Sequence, residues 1–378
     1  MLQMPFVTQS VTPTNGGLYA IEAGLLTISI VNARHPLSEL LSFASRKNPK
    51  RGYLFVSRVL GKHIPVRPAK MRETYNELAA LIETGPATYV VGMAETATGL
   101  AAGVADSLSK KQIDSVIYQH TTRHEIDSPQ WLTLDETHSH AVDHILYEPF
   151  HSIKSEIEAV ERLVLVDDEI STGRTLQLLA TKLSPKLKNL KEIVIVSLVS
   201  WLDDEKRKQF EQLDVPVRYI SLLEGTFSFA PDPEYKVQLP DFVDKESCGY
   251  GSDNFGRRAI KMPYQESLPA EDGEEPLTVV GNGEHLYIPF LIAEHEELKG
   301  RDVLFQSTTR SPIQPGGPIV TADSFRVDER PVRHFIYNLA SQDRRVRVLL
   351  EDKMEYIHHE LARQYTDERT TEKMLDES

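Results

Sequence analysis

Two adjacent carboxylates, Asp167 and Asp168, stand between an apolar run and a run of small, hydroxyl and glycine residues in LVLVDDEISTGRTL, Leu163 to Leu176. The apolar run reads as a strand with the acids at its carboxyl end, where open α/β sheets bind their ligands. Glu169, Ile170, Ser171, Thr172, Gly173, Arg174 and Thr175 then read as the turn into a helix. Free backbone N–H groups at that helix start, with the hydroxyls of Ser171, Thr172 and Thr175, make a monophosphate cradle, and Gly173 lets the backbone come close. Acids beside an anion site are unfavourable unless they serve another part of the ligand. Ribose hydroxyls, which donate hydrogen bonds to carboxylates, meet that condition. A dinucleotide or P-loop turn fits less well, because the stretch has no GxGxxG and no Gly-Lys-Ser/Thr ending.

Other residues invite chemistry less directly. Arg46, Lys47, Lys50, Arg51, Arg58, Lys62 and Arg67 gather within ASRKNPKRGYLFVSRVLGKHIPVRP, which reads either as a solvated face or as a local site for phosphate or another small anion. His138, His140 and His144 in DETHSHAVDH have a spacing that could feed a metal but lack a clear fourth ligand. That stretch reads more readily as lying beside the ligand pocket or closing the sheet. Trp131 and Trp201 read first as core, with Trp131 a weaker candidate for base stacking. His358 and His359 are expected at the surface of a C-terminal helix.

The elements that must hold these residues alternate. ETYNELAALIE, LAAGVADSLSKK, TLQLLATKL and EKRKQFEQL have helical periodicity, while TYVVGM, DSVIYQHT, RLVLVDD, EIVIVSLVS and VRYISLL are short apolar, β-branched runs. Such alternation argues for parallel βαβ units with strands buried on both faces. From residue 231 to 276 the period dissolves into a proline-, glycine- and acid-rich stretch that reads as an irregular connection. Alternation resumes with LTVVG, FLIAEHEEL, DVLFQS, RVRVLL and the helix-like EYIHHELARQY, before a charged tail. The expected division is 1–230, 231–276 and 277–378.

With 378 residues, 40% of them apolar, the chain can bury a core over about two or three domains. The single Cys248 excludes an internal disulfide framework. A formal net charge of −14 argues against a long footprint on nucleic acid. No apolar run approaches the ~18 residues that span a membrane, and no basic N-terminal leader is seen. The cytoplasm is the expected setting.

An internal repeat emerges when the late segment is laid against the early one. VVGMAETATGLAAGVADSLSKKQIDSVIYQHTTRHEI, from Val90, parallels VVGNGEHLYIPFLIAEHEELKGRDVLFQSTTRSPI, from Val279. Further on, HILYE matches HFIYN, and LVLVDDE has an echo in VRVLLED at nearly the same offset. In the second copy the chain passes from VLLED straight to KMEYIHHEL, so the ISTGRT turn is missing.

VLVDDEISTGRT resembles the phosphoribosyl pyrophosphate (PRPP) loop of the type I phosphoribosyltransferases. The resemblance implies an α/β fold with a mainly parallel sheet flanked by helices, followed here by a smaller lobe that looks like a degenerate repeat. It implies that Asp167 and Asp168 bind the ribose hydroxyls and that the following turn binds the 5′-phosphate. It further implies a pyrophosphate loop at Ala94, Glu95, Thr96, Ala97, Thr98 and Gly99, and a catalytic loop containing Thr121, Thr122, Arg123 and His124, with Arg123 stabilising the leaving pyrophosphate. YLFVSRVLGKHIPV is similar to the N-terminal hood of the orotate-type enzymes, making Ser57, Lys62 and His63, with His138 and His140, candidate base contacts. Mg²⁺ would enter with PRPP, near Asp167 and Asp168. The implied partners are PRPP and a base-like acceptor, with a homodimer as a further expectation.

Over nearly its full length the chain resembles the PRTase_2 plus TRSP family, on LFVSRVLGKHIPV, DETHSHAVDHILY, the PRPP loop and FQSTTRSPI, where TRSP is Thr309, Arg310, Ser311 and Pro312. That family is associated with tellurite-resistance and stress gene clusters and with synthesis of a nucleoside-like compound. The rival readings are a PRPP sensor without chemistry and a PRPP synthetase-like enzyme, which also uses tandem lobes. Arg123 and the basic hood favour a transferase, and Arg310 is the residue by which a second lobe would reach the first lobe's pyrophosphate region.

Overall fold

The computed structural model describes residues 16–48, 51–112, 114–134, 144–236, 255–265, 267–269, 271–327, 333–351, 356 and 358–365. His138 and His140, Lys50 and Cys248 lie outside the described residues.

The first part runs β1 (Gly17–Ile21), β2 (Gly24–Ala33), α1 (Leu37–Leu40), β3 (Leu41–Ser45), β4 (Tyr53–Ser57) and α2 (Pro68–Leu81). Then come β5 (Thr88–Gly92), α3 (Ala97–Ser109), β6 (Val116–His120), β7 (Gln130–Leu134), β8 (His144–Tyr147), α4 (His151–Glu158), β9 (Arg162–Ile170) and α5 (Arg174–Leu183). β10 (Glu192–Ser200), α6 (Asp204–Arg207), β11 (Val217–Pro231) and β12 (Ile260–Met262) follow. The second part holds β13 (Leu277–Gly281), α7 (Tyr287–Leu298), β14 (Val303–Ser307), β15 (Ala322–Phe325), β16 (His334–Tyr337), β17 (Arg345–Leu349) and α8 (Glu360–Tyr365).

Eight strands form one sheet in the order β1-β2-β11-β10-β9-β5-β6-β12. Its centre, β11 to β6, is parallel, and β2 and β12 close the two sides antiparallel. The apolar runs of β5, β9 and β10 are buried on both faces, as parallel strands under helices must be. The second sheet, β14-β13-β17, is parallel throughout. Its order matches β6-β5-β9, and each copy carries an antiparallel hairpin between its last two strands, β7–β8 in one and β15–β16 in the other. The repeat is therefore one of topology.

Several sequence expectations differ from what forms. The region 231–276 is not wholly irregular, since β12 lies within it and pairs with β6; three residues are too short to show a period. The expected helix over EKRKQFEQL is one α-helical turn followed by a 3-10 turn, Lys208–Phe210. The C-terminal helix starts at Glu360 rather than five residues earlier. His359 is fully buried against Phe325, with ring centroids 5.2 Å apart, because it precedes the helix and points into the second lobe. Trp201 is core, as expected.

The two parts share a core. One apolar cluster joins Val90, Val164 and Val194 of the first sheet to Leu78 and Leu100 of α2 and α3, and continues into Phe290 and Phe305. Phe290 packs edge-on against Tyr75 at 5.1 Å and against Phe305 at 6.3 Å. Arg72 seals this contact, donating to Glu294 through Nε and Nη2 and to Asp106 through Nη1. Phe290→Ala leaves a cavity between the parts and is expected to cost about 3–5 kcal/mol, read as a lower urea midpoint.

Candidate active site

The sheet order β9-β5-β6 brings three strand ends together, and each carries one loop of the site. Asp167 lies opposite Ser197 in the β9–β10 ladder, and the ladder continues to Ile170 opposite Ser200. Glu169 and Ile170, expected in the turn, thus belong to the strand: Ile170 is buried and its carbonyl accepts from Trp201 N at 2.8 Å. The turn shrinks to Ser171–Gly173, with Gly173 at φ +74° before Arg174 opens α5. Gln209 braces it, donating through Nε2 to Thr172 O at 2.6 Å. Ser171 and Thr175 are half-buried, and Thr172 and Arg174 are exposed, so the α5 N-terminus faces outward with its hydroxyls.

The three acids fall into two kinds. Glu169 is compensated, since Arg51 Nη2 lies 2.8 Å from its Oε2. Asp167 and Asp168 form no ion pair among the described residues; their hydrogen bond is the donation from Asp168 N to Asp167 Oδ1 at 3.0 Å. Burial, with repulsion from Asp168 and Glu169, holds the Asp167 carboxyl well above its usual range. Burial raises Asp168 as well, against the pull of Arg51 and Lys62. A half-buried acid pair that forms no ion pair among the described residues is placed to receive hydroxyl donors or a divalent ion.

The loop after β5 contains Ala94 to Thr96 and opens α3 at Ala97. Ala94 N donates to Thr121 Oγ1 at 3.0 Å, which ties this loop to the end of β6. The Glu95 carboxylate meets Lys62 Nζ at 2.5 Å and Arg310 Nε at 3.7 Å. Burial opposes its charge, but Lys62 and Arg310 outweigh that and hold it at about 2. Thr98 Oγ1 donates to Glu284 O at 3.0 Å, and Gly99 packs against Leu286, so α3 begins against the second part.

The loop after β6 carries Arg123, whose side chain is exposed. Its backbone N donates to Glu284 Oε1 at 2.9 Å, and Thr122 Oγ1 donates to Glu284 Oε2. Arg46, on the hairpin β3–β4, is near enough to Arg51 and Arg123 that, after burial, their charge lowers its pKa. His144 lies against Thr121, its Nδ1 3.1 Å from Oγ1, and burial together with the Arg123 charge lowers it to about 3. It is a buried ring packed against Thr121.

Of the hood candidates, Lys62 reaches the site. Ser57 is buried and accepts from Val59 N at 3.2 Å. His63 is buried beside Tyr337 at 5.9 Å, and burial, then Lys62, lowers it to about 3. Trp131 is capped by Lys186 at 5.4 Å. Among the described residues no three His, Cys, Asp or Glu side chains are grouped to enclose an ion. Thr309, Arg310, Ser311 and Pro312 border the site: Thr309 exchanges backbone hydrogen bonds with Phe335, and Pro312 O accepts from Lys47 N at 3.1 Å. Sequence reasoning missed Arg46, Glu284 and Arg257 as individual site residues; only the basic run around Arg46 signalled one of them.

At its strand ends the parallel sheet brings together an acid pair, a hydroxyl-rich helix start and the loop that carries Arg123. The model of a phosphoribosyl transferase family, PRTase_2, matches residues 40–226, and that of the TRSP domain C-terminal to PRTase_2 matches residues 256–364. The chain belongs to this PRTase_2 plus TRSP family. No curated protein sequence matches it. Among solved structures it is similar to adenine phosphoribosyl transferase from Trypanosoma brucei, at 14% identity over 50% of this chain and 79% of that one, with a TM-score of 0.36. Adenine phosphoribosyltransferase from Giardia lamblia is 19% identical over 51% and 97%, with a TM-score of 0.34. A hypoxanthine-guanine phosphoribosyltransferase from Bacillus anthracis is 15% identical over 43% and 82%, with a TM-score of 0.26.

The raised pKa of Asp167 fixes the sign of a stability effect. A carboxyl raised in the fold contributes its stability below the ordinary value of about 3.9 and loses it as pH rises through the folded value. Asp167→Asn removes that loss, so the variant is expected to melt above wild type at pH 8, with the gap closing toward pH 4 in calorimetric scans.

Proposed function

We propose that the protein transfers the 5-phosphoribosyl group of PRPP to a nitrogen of a base-like acceptor, in the synthesis of a nucleotide or nucleoside-like metabolite linked to stress or tellurite resistance. The observation that carries this reading is the uncompensated pair Asp167 and Asp168 next to the hydroxyl turn at α5. In the reaction the C1–O bond to pyrophosphate breaks, pyrophosphate leaves with the electron pair, and the acceptor nitrogen forms the C1–N bond and loses its proton to pyrophosphate or water. Nucleotide cleavage by pyrophosphate runs through the same residues in reverse.

Asp167 and Asp168 accept from the ribose hydroxyls and orient the sugar. Ser171, Thr172 and Thr175, with the free N–H groups of the turn, hold the 5′-phosphate. Arg123 meets the charge that builds on pyrophosphate as it departs. Mg²⁺ bound with PRPP at Asp167 and Asp168 would supply further positive charge to the leaving group.

Mixing the protein with PRPP, Mg²⁺ and a panel of bases should release pyrophosphate. Asp168→Asn and Thr172→Ala should each weaken PRPP binding by about tenfold or more, as expected for loss of a charge-assisted contact, measured by calorimetry. Arg123→Ala should lower kcat by about 10²–10³. Unchanged PRPP affinity in Asp168→Asn and Thr172→Ala would remove the assignment of this loop.

A further inference from the structure

The two copies repeat each other contact by contact. Gln119 Nε2 donates to Tyr147 O at 2.7 Å, and Gln306 Nε2 donates to Tyr337 O. Thr121 N donates to Gly92 O at 2.9 Å, and Thr308 N to Gly281 O at 3.0 Å. The Tyr147 hydroxyl accepts from Ile126 N and donates to His124 O; the Tyr337 hydroxyl accepts from Ile313 N and donates to Ser311 O. These equivalences set Glu284 on Glu95 and Arg310 on Arg123. Gly92 lies opposite Val166 and Gly281 opposite Leu349, so Glu351 takes the register position of Asp168.

The contacts between copies are reciprocal. His120 N donates to Gly256 O at 3.0 Å, and Ser307 N to Gly61 O at 2.8 Å. Both glycines have positive φ, and a Cβ on either would strike the aromatic ring of the strand it covers, Tyr118 or Phe305. The cation after each glycine turns back: Lys62 meets Glu95, and Arg257 Nη2 lies 3.2 Å from Glu284. Glu284 receives Arg123 N, while Glu95 faces Arg310. A pseudo-two-fold thus relates the lobes, as in a symmetric dimer interface.

The copies part at the acid site. In the first lobe Asp168 forms no ion pair among the described residues. In the second the turn ISTGRT is missing and Arg257, 1% exposed, bridges Glu351 and Glu284. The second lobe's site is filled by its own chain. Around Glu95, in contrast, Lys62 and Arg310 lie within ion-pair distance, and Arg46 is near enough for its charge to act on the same carboxylate.

We propose that the second lobe is a built-in partner subunit, its own acid site closed by Arg257, and that Arg310 is a diphosphate-binding residue of the first lobe's site, delivered across the interface by the loop after β14. This rests on the phosphoribosyl-transfer reading. Glu95 sits between Lys62 and Arg310 and keeps two mutually repelling cations side by side, so the subsite is set before the diphosphate arrives, and the planar guanidinium of Arg310 matches its oxygens.

Calorimetry of the full chain with Mg²⁺-pyrophosphate and, separately, ribose 5-phosphate tests this. Arg310→Ala should weaken pyrophosphate about 10- to 100-fold and leave ribose 5-phosphate unchanged, with Arg310→Lys recovering part of the loss. Where Arg310→Ala fails to fold, Arg310→Gln keeps the side chain's reach without its charge and should show the same selective loss. Pyrophosphate binding equal to wild type in a folded Arg310 variant overturns the proposal alone. Wild-type protein that binds neither PRPP nor ribose 5-phosphate overturns the transferase reading beneath it.

Discussion

The buried carboxylate of Glu284 is the contact on which the arrangement of the site depends. It accepts from Thr122 Oγ1 and Arg123 N on one side and pairs with Arg257 on the other. Arg257 in turn binds Glu351, so a chain of charges crosses the lobe boundary. Burial alone would push both acids up, yet their cationic and hydroxyl neighbours hold Glu284 well below the carboxylate range and Glu351 at about 2. Such a network holds only while every member is paired, because an unpaired buried charge is costly. The loop after β6 is thereby locked by residues distant in sequence, and that loop fixes the start of α3 through Thr121.

Beside this fixed frame the acid pair of the first lobe has no ion-pair partner among the described residues. Glu169 has Arg51, Glu95 has Lys62, and the second lobe's Glu351 has Arg257, but Asp167 and Asp168 repel one another beside a turn built for an anion. A fold dominated by stability would have supplied a cation there, as it did at Glu351. Strongly shifted groups gather where function needs them. The apolar core that runs through Tyr75, Phe290 and Phe305 makes that local cost bearable.

Much of the site could be read from the chain. The acids, the hydroxyl turn and the TTR repeat are contiguous, so their types and order survive without coordinates. The strand extension through Ile170 could not be read, because it depends on pairing with Ser200 in β10. His359 looked like a surface residue on its helix pattern, yet the second lobe covers it. The Gly-cation pairs Gly61-Lys62 and Gly256-Arg257 escaped notice, since two residues inside unlike surroundings carry no period.

The sequence by itself determined which residues could do chemistry and that the lobe is present twice, because strand order and local turn chemistry are written in contiguous residues. Only the tertiary structure decided which copy is open. Arg257 and Lys62 occupy equivalent positions, but Arg257 bridges two acids while Lys62 pairs with Glu95 and donates to the Gly283 carbonyl. That difference is a matter of which charges face each other across an interface, and neither residue's neighbours in the chain encode it.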